Sequence, residues 1–167
     1  MDSCLQRLQD AVTGATRGMS VEDLTRHPQG KWCAAEVLEH LYLTYKGTGK
    51  GFERCLQDDK PLARRRTLSD RLRTAVVVNF GYLPEGRKAP EGTRPRGMAA
   101  VEVVKAIGPQ IAAMDDVIAK CEARFGRRVR VLDHPILGPL TARQWRKFHW
   151  VHGRHHVKQI WKLRNGC

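Results

Sequence analysis

The chain has 167 residues, with 30 Lys and Arg against 17 Asp and Glu and a net charge of +13, and at that length it can bury a core without needing a disulfide or a metal merely to fold. The charge concentrates counter-charged partners such as nucleic acid, an anionic membrane or acidic small molecules, which bears on encounter rather than on chemistry. The longest aliphatic run, residues 75–78, is far below the ~20 residues of a membrane helix. The N-terminus, with Asp2 and Asp10, has no secretory hydrophobic core. The five cysteines, Cys4, Cys33, Cys55, Cys121 and Cys167, include no C-x-x-C pair, which fits reduced thiols. A soluble cytoplasmic protein of one domain, residues 1–167, is expected.

Apolar residues recur mainly at spacings of three and four, so helices dominate. Leu5, Leu8 and Val12 form a short first stripe, and Ser20 with Asp23 caps a short turn. A second helix starts near Cys33 and carries Leu38, Leu41, Tyr45, Phe52 and Cys55 along one side. Residues 68–79 are a third candidate, although the valines at 76, 77 and 78 are equally strand-like. The segment 81–97, GYLPEGRKAPEGTRPRG, is a long loop in which PEGRKA is followed by the similar PEGTRP. Its Arg87, Lys88, Arg94 and Arg96 are placed to draw an anionic substrate, or are simply a solvated charge run. From Val101, the residues Val104, Ile111, Met114, Ile118, Cys121 and Phe125 trace a long helix closed by Gly126, with a kink or restart at Pro109. The last helix opens on Thr141 with Gln144 three residues on, behind the breaker GPL, and runs to about Arg164. Four main helices after a short first one describe an all-α bundle.

FHWVHGRHH, residues 148–156, holds four of the seven histidines. At about 100° per residue, His156 lies about 40° from His152, with Trp145 and Leu163 on the midline between them. The two histidines therefore share the apolar face, while Arg146, Lys147, Arg154, Lys158 and Lys162 take mostly the remaining sides. Two imidazoles four residues apart can converge on one divalent ion, and a third ligand is wanted from another helix. His40, on the side of the second helix shared by Val37, Thr44, Gly47 and Gly51, is the candidate, the small residues leaving room between helices. The alternative is a set of hydrogen-bonded core histidines, each of which would then need its own buried partner.

Around this set, Glu36 stands one turn before His40 and is placed as general base or as support for a ligand, although a first-turn carboxylate also answers the helix dipole. Gln159 lies on the histidine face, where it can orient a ligand or line the pocket. His134, His149 and His155 are candidates for hydrogen bonds that support the ligands. KGTGKG, residues 46–51, fails the phosphate-loop spacing, since Thr44 and Gly51 occupy two of its required positions.

Taken together, WCAAEVLEHL at 32–41 and HPILGPLTARQWRKFHWVHGRHHVKQI at 134–160 resemble the DinB-like (YfiT-like) superfamily of metalloenzymes, over most of the chain. The resemblance implies a four-helix bundle of up-down-down-up topology, often a homodimer, with a divalent ion held by three histidines, here His40, His152 and His156. It also implies a function: characterised members include transferases using a low-molecular-weight thiol such as bacillithiol or mycothiol, and a mycothiol-dependent isomerase. Cys33 stands where members often carry Ser or Thr, and the 81–97 loop is unusually basic. The expected function is activation of a thiol cosubstrate or water at Zn²⁺ or Ni²⁺ for attack on a small-molecule electrophile, as a transferase or hydrolase. The rivals are a basic helical module gripping nucleic acid through Arg64, Arg65, Arg66, Arg71 and Arg73, and a metal-binding stress protein without turnover.

Overall fold

The computed structural model describes residues 1–83 and 88–166. Arg87, the first PEGR of the loop repeat and the Cys167 thiol thus lie outside the described residues. Helix α1 (Ser3–Thr16) follows directly from its apolar spacing: Leu5, Leu8, Val12 and Ala15 are all buried, and the Asp2 carboxylate accepts from Cys4 N to cap its start. Ser20 and Asp23 form the expected capping box on the short α2 (Val21–Thr25). Helix α3 (Ala34–Gln57) begins after Cys33, whose backbone N–H donates to Glu36 Oε2 at 2.9 Å. Its stripe of Leu38, Leu41, Tyr45, Phe52 and Cys55 is wholly removed from solvent. Helix α5 (Ala100–Phe125) stops at Gly126, where φ is 97°, a conformation that costs glycine little. Helix α6 (Ala142–Arg164) starts from the Thr141–Gln144 box.

These four long helices pack on one another, α3 against α5 and α6, α1 against α6 and α5, and α5 against α6. Their buried faces form one contiguous apolar core. The close approach of α1 to α6 has a specific cause: a Cβ at Gly153 would run into Leu8 Cδ1 and stand 3.0 Å from the Tyr45 hydroxyl. Gly51 makes room for Leu132 in the same way, whereas Gly47 faces open space and keeps no distance between helices.

Four details differ from the sequence reading. Residues 68–79 are not a main helix. They form α4 (Leu68–Thr74) and a π-helical turn, Ala75–Asn79, because Leu68 and Leu72 point outward and the buried side chains of α4 are Asp70 and Thr74. Helix α1 takes the fourth place instead. Next, α5 runs through Pro109 without restarting. Both Pro109 and Lys105, whose carbonyl loses its donor, are exposed, so solvent can satisfy it. The first turns of α5 bury Val103 and Ile107, while Val101 is exposed. Lastly, a two-stranded antiparallel hairpin, β1 (Arg130–His134) and β2 (Gly138–Thr141), precedes α6, with Leu132 opposite Leu140. The GPL read as a helix breaker is therefore strand.

Candidate metal centre

Helix α3 brings His40 to face His152 and His156 on α6. The Nε2 atoms of His40 and His152 are 3.4 Å apart and those of His152 and His156 3.1 Å, and one ligand atom from each of the three residues lies within 4.8 Å of the others. The i, i+4 spacing puts the two α6 rings one turn apart, with centroids 4.6 Å apart. His40 reaches them because its ring is held from behind. Its Nδ1 donates to the Thr93 carbonyl at 2.8 Å, and the Trp32 ring lies 5.4 Å away, centroid to centroid.

The protons decide what this cluster can do. Thr93 O can only accept, so His40 carries its proton on Nδ1 and presents a lone pair at Nε2. His156 does the same, with Nδ1 donating to Gln159 Oε1 at 2.7 Å. His152 Nε2 faces both lone pairs. A proton there would satisfy only one of them, whereas a cation satisfies all three. Nitrogen atoms on a tetrahedral Zn²⁺ at 2.0–2.1 Å stand about 3.3 Å apart, which matches the observed spacings. Burial drives all three rings toward the neutral, ligating form. His40 is lowered by desolvation, His156 falls to about 3 through desolvation and the nearby His40, and His152 falls well below its ordinary value for the same reasons. The donor set therefore fits a divalent ion, held on one face of three neutral imidazoles.

The other singled-out residues sort by position. Gln159 fixes the tautomer of His156, and its amide nitrogen lies 3.3 Å from His155 Nε2. Glu36 Oε2 accepts from Cys33 N and contacts His27 Nε2 at 2.8 Å. These contacts also account for a second grouping of possible ligands, His27, Cys33 and Glu36. His134 is occupied by the hairpin, where its Nδ1 accepts from Ile136 N and Leu137 N, both at 3.1 Å. His149 is fully buried, stacked on Trp145 at 5.5 Å, and among the described residues neither of its ring nitrogens has a hydrogen-bond partner.

Besides Thr93 and Trp32, two more residues escaped the sequence reading. Glu39, beside His40 and buried, accepts from the backbone N–H of Arg96, Gly97 and Met98 at 2.8, 3.1 and 3.0 Å. It ties the end of the long loop to α3. Spacing gave no signal for it, because at about 100° per residue Glu39 shares its side of α3 with Lys46, Lys50 and Glu53 rather than with the apolar stripe. Arg146, assigned to the remaining sides of α6, is buried and pairs with Asp115 at 2.7 Å and Glu122 at 2.6 Å.

A family model of the DinB superfamily matches residues 5–160. The chain belongs to the DinB superfamily, and its buried histidine trio stands on the two segments, 32–41 and 134–160, that carry the resemblance. Comparison with curated proteins returned no match, and comparison with solved structures returned none. Among the described residues, no helix is long and apolar enough to cross a membrane.

Proposed function

We propose that this protein is a metal-dependent enzyme in which His40, His152 and His156 hold a divalent ion, Zn²⁺ or Ni²⁺, and the chain activates a thiol cosubstrate or water against a small electrophile. The observation that carries this reading is the convergence of the three rings, with His152 Nε2 3.4 Å from His40 Nε2 and 3.1 Å from His156 Nε2, and with the proton of His40 and that of His156 both committed to other acceptors. When bound, such an ion acts as a Lewis acid that favours the deprotonated form of a thiol or water.

The residues of the chain do the rest. Thr93 and Gln159 orient two ligands, and Trp32 shields His40 from one side. Glu36, one turn below His40, is assigned the role of proton acceptor at the edge of the site, with His27 as its partner. The fold is taken as the up-down-down-up bundle of a single domain, working as a homodimer in the cytoplasm. S-transfer to an electrophile such as 1-chloro-2,4-dinitrobenzene by the metal-loaded protein tests the reading. Turnover should require the ion and vanish in His152→Ala. Equal rates with and without metal would contradict it.

A further inference from the structure

The basic loop acquires a role from what it packs against. A cavity of about 420 Å³ is lined by Trp32, Glu36, Lys88, Ala89, Arg94 and Pro95. Two of its walls belong to the metal centre's own surroundings: the Trp32 ring lies against His40, and Glu36 is one turn from it on α3. Among the described residues neither Lys88 nor Arg94 has an acidic partner, whereas Oε2 of Glu36 is already engaged by Cys33 N and His27. Arg94 is not a loose surface charge. Its Nε donates to Ala89 O at 3.3 Å, which folds the side chain back over the loop and leaves its outer nitrogens for a ligand.

The backbone carrying Arg94 is fixed to the metal centre at both ends of a short stretch. Thr93 O receives the His40 proton, and the three N–H groups of Arg96, Gly97 and Met98 converge on Glu39. Consecutive residues of α3 thus hold the segment that presents Arg94. A guanidinium, an ammonium and an indole lining one cavity suit a carboxylate attached to a small organic body, since charge-assisted hydrogen bonds are the strong ones and the ring accepts the apolar part.

From this we propose that the cavity is the subsite for a carboxylate of the substrate or cosubstrate, so that the enzyme selects small anionic molecules over neutral or cationic ones. The inference rests on the metal-enzyme reading, since it names the substrate class of that same site.

Calorimetric titration of the metal-loaded full chain with mercaptosuccinate, 2-mercaptoethanol and cysteamine tests it. Mercaptosuccinate should bind at least about tenfold more tightly than either of the others. The double variant Lys88→Glu, Arg94→Glu should lose that preference while keeping its metal content by elemental analysis. A matched variant, Arg127→Glu with Arg128→Glu, changes the net charge equally at a separate hollow that shares no lining residue with the first and should keep the preference. Equal affinity for the three thiols overturns the proposal, and so does equal loss in both double variants, which would mark the preference as the general positive field. If the protein holds no metal, the functional reading fails by itself. The subsite is then still decided by succinate against butane-1,4-diol on the same variants, with loss of the succinate preference at Lys88 and Arg94 expected and its retention overturning the proposal.

Discussion

At the residue scale, the chemistry turns on where three imidazole protons sit. Gln159 contributes nothing to the core that a leucine could not, yet it determines which nitrogen of His156 is free. Replacing it by leucine should leave the helix intact and weaken metal binding by about 10–100-fold, the usual effect of losing the partner of a ligating histidine, as read by competition with a metal chelator. Unchanged affinity would mean that His156 finds its tautomer without help. His149 poses the opposite case. It is fully buried, its ring nitrogens find no partner among the described residues, and desolvation with help from His134 holds its pKa down to about 3.

At the scale of elements, α6 was the most legible part of the sequence. Its capping box, its apolar face and the 152/156 pair all follow from spacing alone, and so did the placement of His40 on α3. What could not be read was whatever depends on neighbours. The valines at 76–78 have no period that separates helix from strand, and the π-helical turn they adopt is fixed by packing against α6. The four- and five-residue strands of the hairpin are too short to show alternation, and they exist because Leu132, Leu140 and Trp145 Nε1, which donates to Leu132 O at 3.1 Å, close over one another. Arg146 looked like a solvated charge until α5 supplied Asp115 and Glu122.

The glycine at 153 belongs to this scale too, because it sets how near α1 comes to α6. Gly153→Ala should destabilise the fold by roughly 1–3 kcal/mol, since Leu8 and Tyr45 must both move. That loss should outweigh alanine's better helix propensity of about 1 kcal/mol. Chemical denaturation reads the difference, and a stabilised variant would show that α1 gives way freely.

For the whole molecule, buried neutral histidines link stability to pH. His134 is pushed down to about 4 and His149 to about 3, both chiefly by desolvation, from an ordinary value of 6.5. Between about pH 6.5 and pH 4 the unfolded chain therefore binds protons that the folded chain refuses, so stability should fall as the pH is lowered through that window, by up to about 1.4 kcal/mol per unit for each histidine. Above 6.5 both states are neutral at these sites and the dependence should flatten. His149→Phe should reduce the slope, and denaturation midpoints at pH 7, 6, 5 and 4 measure it. An identical slope in the variant would place the acid sensitivity elsewhere.

The histidine trio is the point on which both the catalytic proposal and the carboxylate subsite converge. Its most direct test is elemental analysis of the untagged protein purified without added chelator, alongside His40→Ala and His152→Ala. One divalent ion per chain in the parent protein, and its loss in both variants with the helical content retained, is the predicted result. A parent protein that takes up no ion, or a His40→Ala variant that keeps a full equivalent, would contradict the account.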